Sequence, residues 1–589
     1  VYQVKLNYPT TSAEKFFVEK TVELLHMQTI DSYRLRIHNP LTIMTELTQV
    51  IEALNRNELK NVSYAHTLIE ETLFSIKSEN ELTFKSLSKK YYKNLLEKHK
   101  EDLKQIFYST NLIIKDNENT YRGVLFDKIE SELVRLNSLQ VLQVTELKPL
   151  NGIIGFFFVE LINLGYSKPY LNYFFRSIFF GPKHGTFPER LRILKTLLDR
   201  RPEKFRVIIG LTNLADQKLK FKIIHNEFKR LGKNERAKII RETNGQIEHY
   251  FNKYKSDCVF YEIEAESLDY YTSVKQVRAK VQSMIDALHM GHSSINLQPI
   301  AECAEIGQHN PRRAGIQKLT YYLDGYYRSD QNLYIEFLNK LTELEKNKIH
   351  RRAKSKINSG LRYLRLGFES SEIENKLLNY WIGLEYIFSS NQADENTLGR
   401  IRNYFKKCHA VAYFKRNLKY LHDSISVFGL NSVIPGYNAN LEYLKDEATY
   451  NLIISKLSDY PLLAYRTNSY KEQLLDLRKT RGTLENHQKN LDWNLNRIYR
   501  LRNEVVHNAA IKINIESVTS HIRYYLVFTL NGLLDYFLNE PVDVNHDKKL
   551  DIDDYFITQV ILLDNIFKDD NYLKFDYLLS MHNPVEYLS

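Results

Sequence analysis

Apolar residues recur three and four positions apart along much of this 589-residue chain. A chain so patterned buries its apolar surface by packing helices on one another. LTIMTELTQVIEALN from Leu41 and YAHTLIEETLFSIK from Tyr64 show the spacing, and Ile373, Leu377, Trp381, Leu384 and Phe388 repeat it farther on. The length exceeds what one core supports, which predicts a mainly α, multidomain protein. Residues 1–200 read as a helical N-terminal region. Near Phe205 the texture changes: FRVIIGL and CVFYEIEAES read as buried strands, predicting a small α/β module over 201–297. Residues 298–345 are expected to form a helical connector, 346–540 a helical bundle and 541–589 a C-terminal helical extension. Within this scheme 291–313, with HSSINLQP and HNPRRAG, reads as a loop and domain boundary.

Composition narrows the function classes. Cys258, Cys303 and Cys408 lie far apart without a CxxC pair, which argues against a disulfide framework or zinc site and for a reducing cytoplasm. His289, His292 and His309 form no convincing metal constellation. The most apolar stretch, GIIGFFFVELINLG from Gly152, is interrupted by Glu160 and Asn163, so no membrane span is predicted. No signal peptide is evident, and a start at Val1 instead of Met reads as a missing or processed N-terminus. There is no P-loop, dinucleotide fingerprint or nucleotidyltransferase signature. The net charge of +11 is compatible with a polyanionic partner but is spread thinly.

The densest chemistry lies in NRIYRLRNEVVHNAA, 496–510, which sets Arg502, Asn503 and His507 within six residues. On a helix, Ile498, Leu501 and Val505 share a narrow arc and read as the core stripe. Arg502, Val506, Asn503 and His507 follow on the adjoining flank, which suits a second, partly buried surface; a helix-helix dimer seam would provide one. A histidine titrating near pH ~6.5 can take a proton from a ribose 2′-OH or give one to a leaving 5′-oxygen. Arginine favours the added charge of a phosphoryl transition state, and Asn503 can hold a phosphate oxygen or fix the imidazole. One helix offers a single Arg and a single His, whereas in-line cleavage profits from an acid and a base. Two copies across a two-fold axis would supply both.

RNEVVH resembles the R-x4-H motif of HEPN domains, and IYRLRNEVVHNAA is similar to the Apea-like, abortive-infection branch of that superfamily. Ala509 stands where that branch often has glycine. NKLLNYWIGLEYIFS, 375–389, is similar to the helix carrying L-W-x-x-L-E-x-L-F in the same branch. The resemblance covers 346–540. It implies a helical bundle, a homodimer, and a metal-independent endoribonuclease with no cofactor that leaves 2′,3′-cyclic phosphate and 5′-OH ends. Arg502, His507 and Asn503 would be its catalytic residues. It also implies a regulated toxin or anti-phage effector acting on RNA such as tRNA or mRNA, restrained by the N-terminal region until a phage-derived trigger appears. Two alternatives remain: a non-catalytic dimerisation or RNA-binding module, and the toxin of a toxin-antitoxin pair.

Other features carry less. Glu385 could orient Arg502, although an ordinary helix glutamate is the simpler reading. The basic run 346–365 offers Arg351, Arg352, Lys354 and Lys356 as RNA-binding candidates, with Arg500 from the motif segment. The aromatic-rich stretch 164–194 reads as core more readily than as a base-stacking surface. DVNHDKKLDIDD, 543–554, imitates a calcium loop but has Lys548 at the turn glycine and Asp554 at the bidentate glutamate, so a solvated acidic loop is the better reading.

Overall fold

The computed structural model describes residues 4–27, 38–77, 79–182, 184–213, 227–254, 258–291, 297–308, 314–325, 331–346, 349–390, 396–508, 515–538, 542–544 and 549–580. Among the described residues the chain is mainly α-helical with one small antiparallel sheet. Two compact units divide it: Val1–Val159 with Leu323–Ser589, and Glu160–Tyr322.

In the Glu160–Tyr322 unit, five strands lie in the order β2-β3-β1-β4-β5: β1 Glu203–Asn213, β2 Lys229–Arg230, β3 Val259–Ser267, β4 Leu297–Gly307 and β5 Gly315–Lys318. Val207, Ile209 and Leu211 of β1 pack with Val274, Val277 and Val281 of the helix Tyr270–Gly291. Ile208 points the other way, toward Ile239, Tyr250 and Phe251. Both faces of β1 are covered, which explains its unbroken apolar run. Two expectations are corrected here. Residues 298–345 are not a helical connector, since β4 and β5 come first and the helix Gln331–Lys346 follows. The predicted boundary loop 291–313 contains β4, which pairs with the central β1; His292 and His309 lie outside the described residues. The aromatic stretch is core, with Tyr166, Tyr170, Phe175, Phe179 and Phe187 all buried.

The larger unit joins both ends of the chain. Its N-terminal part contains α1, Pro40–Asn55, and α2, Ser63–Lys77. Pro40 opens α1 behind a reciprocal cap: Asn39 accepts from the Thr42 N–H at 2.9 Å, and the Thr42 hydroxyl accepts from the Asn39 N–H at 2.9 Å. Its C-terminal part includes α3, Arg351–Glu369; α4, Ile373–Phe388; α5, Leu477–Asn508; and α6, Ile515–Leu538, which pack together. Helix α4 packs against the other three, through Trp381, Leu384 and Phe388, all fully buried. Glycines let these helices approach closely: a methyl group at Gly383 would lie 3.0 Å from Leu526 of α6.

Between α4 and α5 the chain adds further helices whose core includes Phe414, Leu421, Tyr450 and Ile453. Leu563 and Ile566 of the helix Ile552–Lys568 belong to that same core. The expected C-terminal extension is therefore built into the larger unit. So is the start of the N-terminal region, which is not a domain of its own. One stretch, Val144–Leu164, does reach the length and apolarity of a membrane span, contrary to expectation: an 18-residue window within it has a mean hydropathy of 1.4, and half of that window is buried in the protein.

Candidate functional site

Helix α5 presents two buried faces. Ile498, Leu501 and Val505 form the predicted core stripe. The opposite side meets α2, antiparallel to it, through positions three and four apart on both helices. Trp493 packs on Phe74 with ring centroids 5.4 Å apart, and Asn496 donates to Thr67 Oγ1 at 3.4 Å. Asn503 donates to Tyr64 Oη at 3.4 Å. The partly buried flank expected of a dimer seam is thus occupied, at Asn503, by a helix of the same chain.

Charge reinforces this contact. Arg497 lies 2.8 Å from Glu46 of α1 and 2.7 Å from Glu71 of α2, and Arg500 pairs with the same Glu46. Burial opposes ionisation of Glu46, but the Arg497 and Arg500 guanidiniums outweigh it and hold the carboxyl well below its ordinary range. His38 sits 3.5 Å from Glu46, and burial, helped by Arg497, pushes its imidazole down to about 3. Burial raises Glu71.

Arg502 turns away from this cluster. Its Nη1 donates to Asn503 Oδ1 at 2.9 Å, and its Nη2 lies 3.9 Å from Glu385 Oε2 of α4. That same carboxylate oxygen accepts the Trp381 indole N–H at 3.1 Å, while the Trp381 ring leans on Tyr499 with centroids 5.4 Å apart. Trp381 thus fixes Glu385, and Glu385 steers Arg502, whose side chain stays 26% exposed. Asn503, with its oxygen toward Arg502 and its amide nitrogen toward Tyr64, has a defined orientation. Helix α5 continues to Asn508, so His507 follows Asn503 by one turn; its side chain and Ala509 lie outside the described residues.

The RNA-binding candidates fare unevenly. Arg351 is exposed and Arg352 half-buried on the first turn of α3. Lys354 is engaged by Glu345 at 3.0 Å. Lys356 is a correction: it is buried, donates to the Ile387 carbonyl at 3.3 Å and to that of Ser389, and burial lowers its pKa to about 8. Arg500 is another, turned inward onto Glu46. Of 543–554, residues 545–548 lie outside the described residues; Asp551 and Asp554 cap Ile552–Lys568, and Asp554 also accepts from the Val544 N–H at 3.1 Å. Among the described residues no group of three His, Cys, Asp or Glu is placed to hold a metal ion.

Sequence reasoning did not find Tyr64, Glu46 or the indole of Trp381 as a polar group. Tyr64 lies far from the motif in the chain and carries no pattern of its own. Arg497 and Arg500 gave a partial clue, since their three-residue spacing places both away from the core stripe. Comparison with known proteins finds no match to any family model, curated protein or solved structure.

Proposed function

We propose that this protein is a metal-independent endoribonuclease of the HEPN type, acting as a regulated toxin or anti-phage effector in the cytoplasm. The observation that carries the reading is the posture of Arg502: a partly exposed guanidinium near the end of a long helix, steered by a carboxylate and adjoining an oriented amide. In the proposed reaction His507 takes the 2′-OH proton, the 2′-oxygen attacks phosphorus, and the 5′-oxygen leaves with a proton from the second imidazole. Arg502 gathers the negative charge on the non-bridging oxygens. The products are a 2′,3′-cyclic phosphate and a 5′-OH.

A second copy of the chain would supply the second imidazole. Exposed apolar side chains suit that contact: Val506 lies one turn beyond Arg502, and Ile382 and Tyr386 flank Glu385. Arg351 and Arg352 are the remaining candidates for guiding RNA. The site's own contacts with α1 and α2 favour a second reading as well, a bundle locked by its N-terminal helices that binds RNA or a partner without cutting. Incubating the protein with tRNA and mRNA in EDTA separates the two. The nuclease is expected to cleave, to leave cyclic phosphate ends, and to lose cleavage in both Arg502→Ala and His507→Ala. Cleavage that persists in both variants would sink the assignment.

A further inference from the structure

We infer that Tyr64, on the N-terminal helix α2, belongs to the phosphate-binding surface of this site and donates its hydroxyl proton to a non-bridging oxygen of the scissile phosphate. This inference rests on the ribonuclease reading and extends it to a residue 439 positions away from Asn503 in the chain.

The argument begins with the direction of one hydrogen bond. Asn503 Oδ1 accepts from Arg502 Nη1 at 2.9 Å, so its NH2 group faces Tyr64. The Tyr64 oxygen therefore acts as the acceptor in that contact, and its own proton points elsewhere. No acceptor for that proton exists among the described residues. Arg502 is in a similar position, since its Nε–H has no partner among them. Two adjoining side chains, bridged by one amide, thus keep donors unspent. Buried and half-buried donors ordinarily find acceptors, and the oxygens of a phosphodiester are strong ones.

Placement and protonation agree with that role. Tyr64 is the second residue of α2, at the helix end that meets the motif end of α5. Its ring is buried, and α2 is anchored along its length by Glu71 on Arg497 and Phe74 on Trp493, so the hydroxyl is held in advance of any ligand. Burial and the neighbouring Tyr499 raise its pKa above the ordinary phenol value, against the bond from Asn503 and the charge of Arg500. It therefore stays a proton donor at neutral pH. Tyr64 moves no proton to completion in this scheme; it stabilises charge that grows on the phosphate oxygen.

Tyr64→Phe, which keeps the ring and deletes the hydroxyl, tests this in the full-length protein. Cleavage of an RNA oligonucleotide should fall about 100- to 1,000-fold in kcat, with Tm unchanged. A structural tyrosine would not affect a stereochemical readout, so the scissile phosphate should also be made as each phosphorothioate diastereomer. The wild type is expected to favour one diastereomer, and Tyr64→Phe to lose that preference. Wild-type kcat in Tyr64→Phe, or loss of kcat and Tm together with the preference intact, overturns the inference. A 2′-O-methyl oligonucleotide of the same sequence distinguishes the larger failure. Should the wild type neither cleave RNA nor bind this analogue, the ribonuclease reading falls too; if it cleaves normally and needs Arg502 but not the Tyr64 hydroxyl, only the inference falls.

Discussion

Glu46 shows how much rests on one side chain. It is the common partner of Arg497 and Arg500, and all three are nearly excluded from water. Removing one partner of a buried ion pair costs more than the pair contributes, because a charge is left without compensation. Glu46→Gln is therefore expected to destabilise the larger unit by about 3–5 kcal/mol at pH 7, measured by denaturant unfolding. The pH dependence has a definite sign. The Glu46 carboxyl is held below its ordinary value of 4.5 in the folded protein, so its stabilisation is present above pH 4.5 and is lost as pH falls below it. The gap between wild type and Glu46→Gln should accordingly shrink on acidification. His38 adds a decline common to both proteins. Its imidazole, ordinarily titrating near 6.5, is depressed to about 3, so stability falls as pH drops below 6.5. A gap that widens toward acid would contradict the assigned charge state. None of this is legible in sequence, where Glu46 is one polar position on an amphipathic helix and its partners lie hundreds of residues away.

At the level of elements, helices were easier to read than strands, for reasons visible in particular residues. The periodic stripe of α4 is local and survives into the structure. Strand β1 was equally plain, because burial on both faces makes it continuously apolar. Strand β4 was hidden by Pro299, which cannot donate to a ladder and argues against a central strand. Pro299 is accommodated opposite Leu211, where the β1–β4 register shifts between Ile209 and Leu211. Helix contacts also depend on glycines whose purpose the sequence does not state. A methyl group at Gly367 of α3 would lie 2.3 Å from the Tyr380 ring, which is fully buried. Gly367→Ala should therefore destabilise the protein by about 1–3 kcal/mol. Gly482, inside α5, has nothing within 4 Å of such a methyl group, and Gly482→Ala should stabilise by about 0.5–1 kcal/mol. Paired Tm measurements check both signs.

For the whole molecule, the division differs from the one that composition suggests. Arg502 and Asn503 stand together because a short pattern keeps them adjacent, whereas Glu385, which reads more simply as an ordinary helix glutamate, lies 3.9 Å from Arg502. The surroundings of Arg497, Arg500 and Asn503 were not legible in the sequence, since α1 and α2 lie in sequence beyond the inserted Glu160–Tyr322 unit. A fragment spanning 346–540 would leave Arg497 and Arg500 without Glu46 and Glu71, and is expected to be insoluble or molten when expressed alone. The 160–322 segment has its own two-faced core and should unfold cooperatively in isolation. Circular dichroism melts of the two fragments test this, and a stable, cooperative 346–540 fragment would show that the N-terminal helices are dispensable.

The pairing of Glu46 with Arg497 spans 451 residues. On a ribosome adding about 5–20 residues per second, the acid emerges roughly 20 to 90 s before the base it will hold. Throughout that interval α1 and α2 exist without the helix they are shaped to receive, and Tyr64 has no Asn503 to face. A nascent chain that has not yet reached the helix Leu477–Asn508 carries only half of this arrangement, so synthesis of that helix is itself the event that first brings the two halves together.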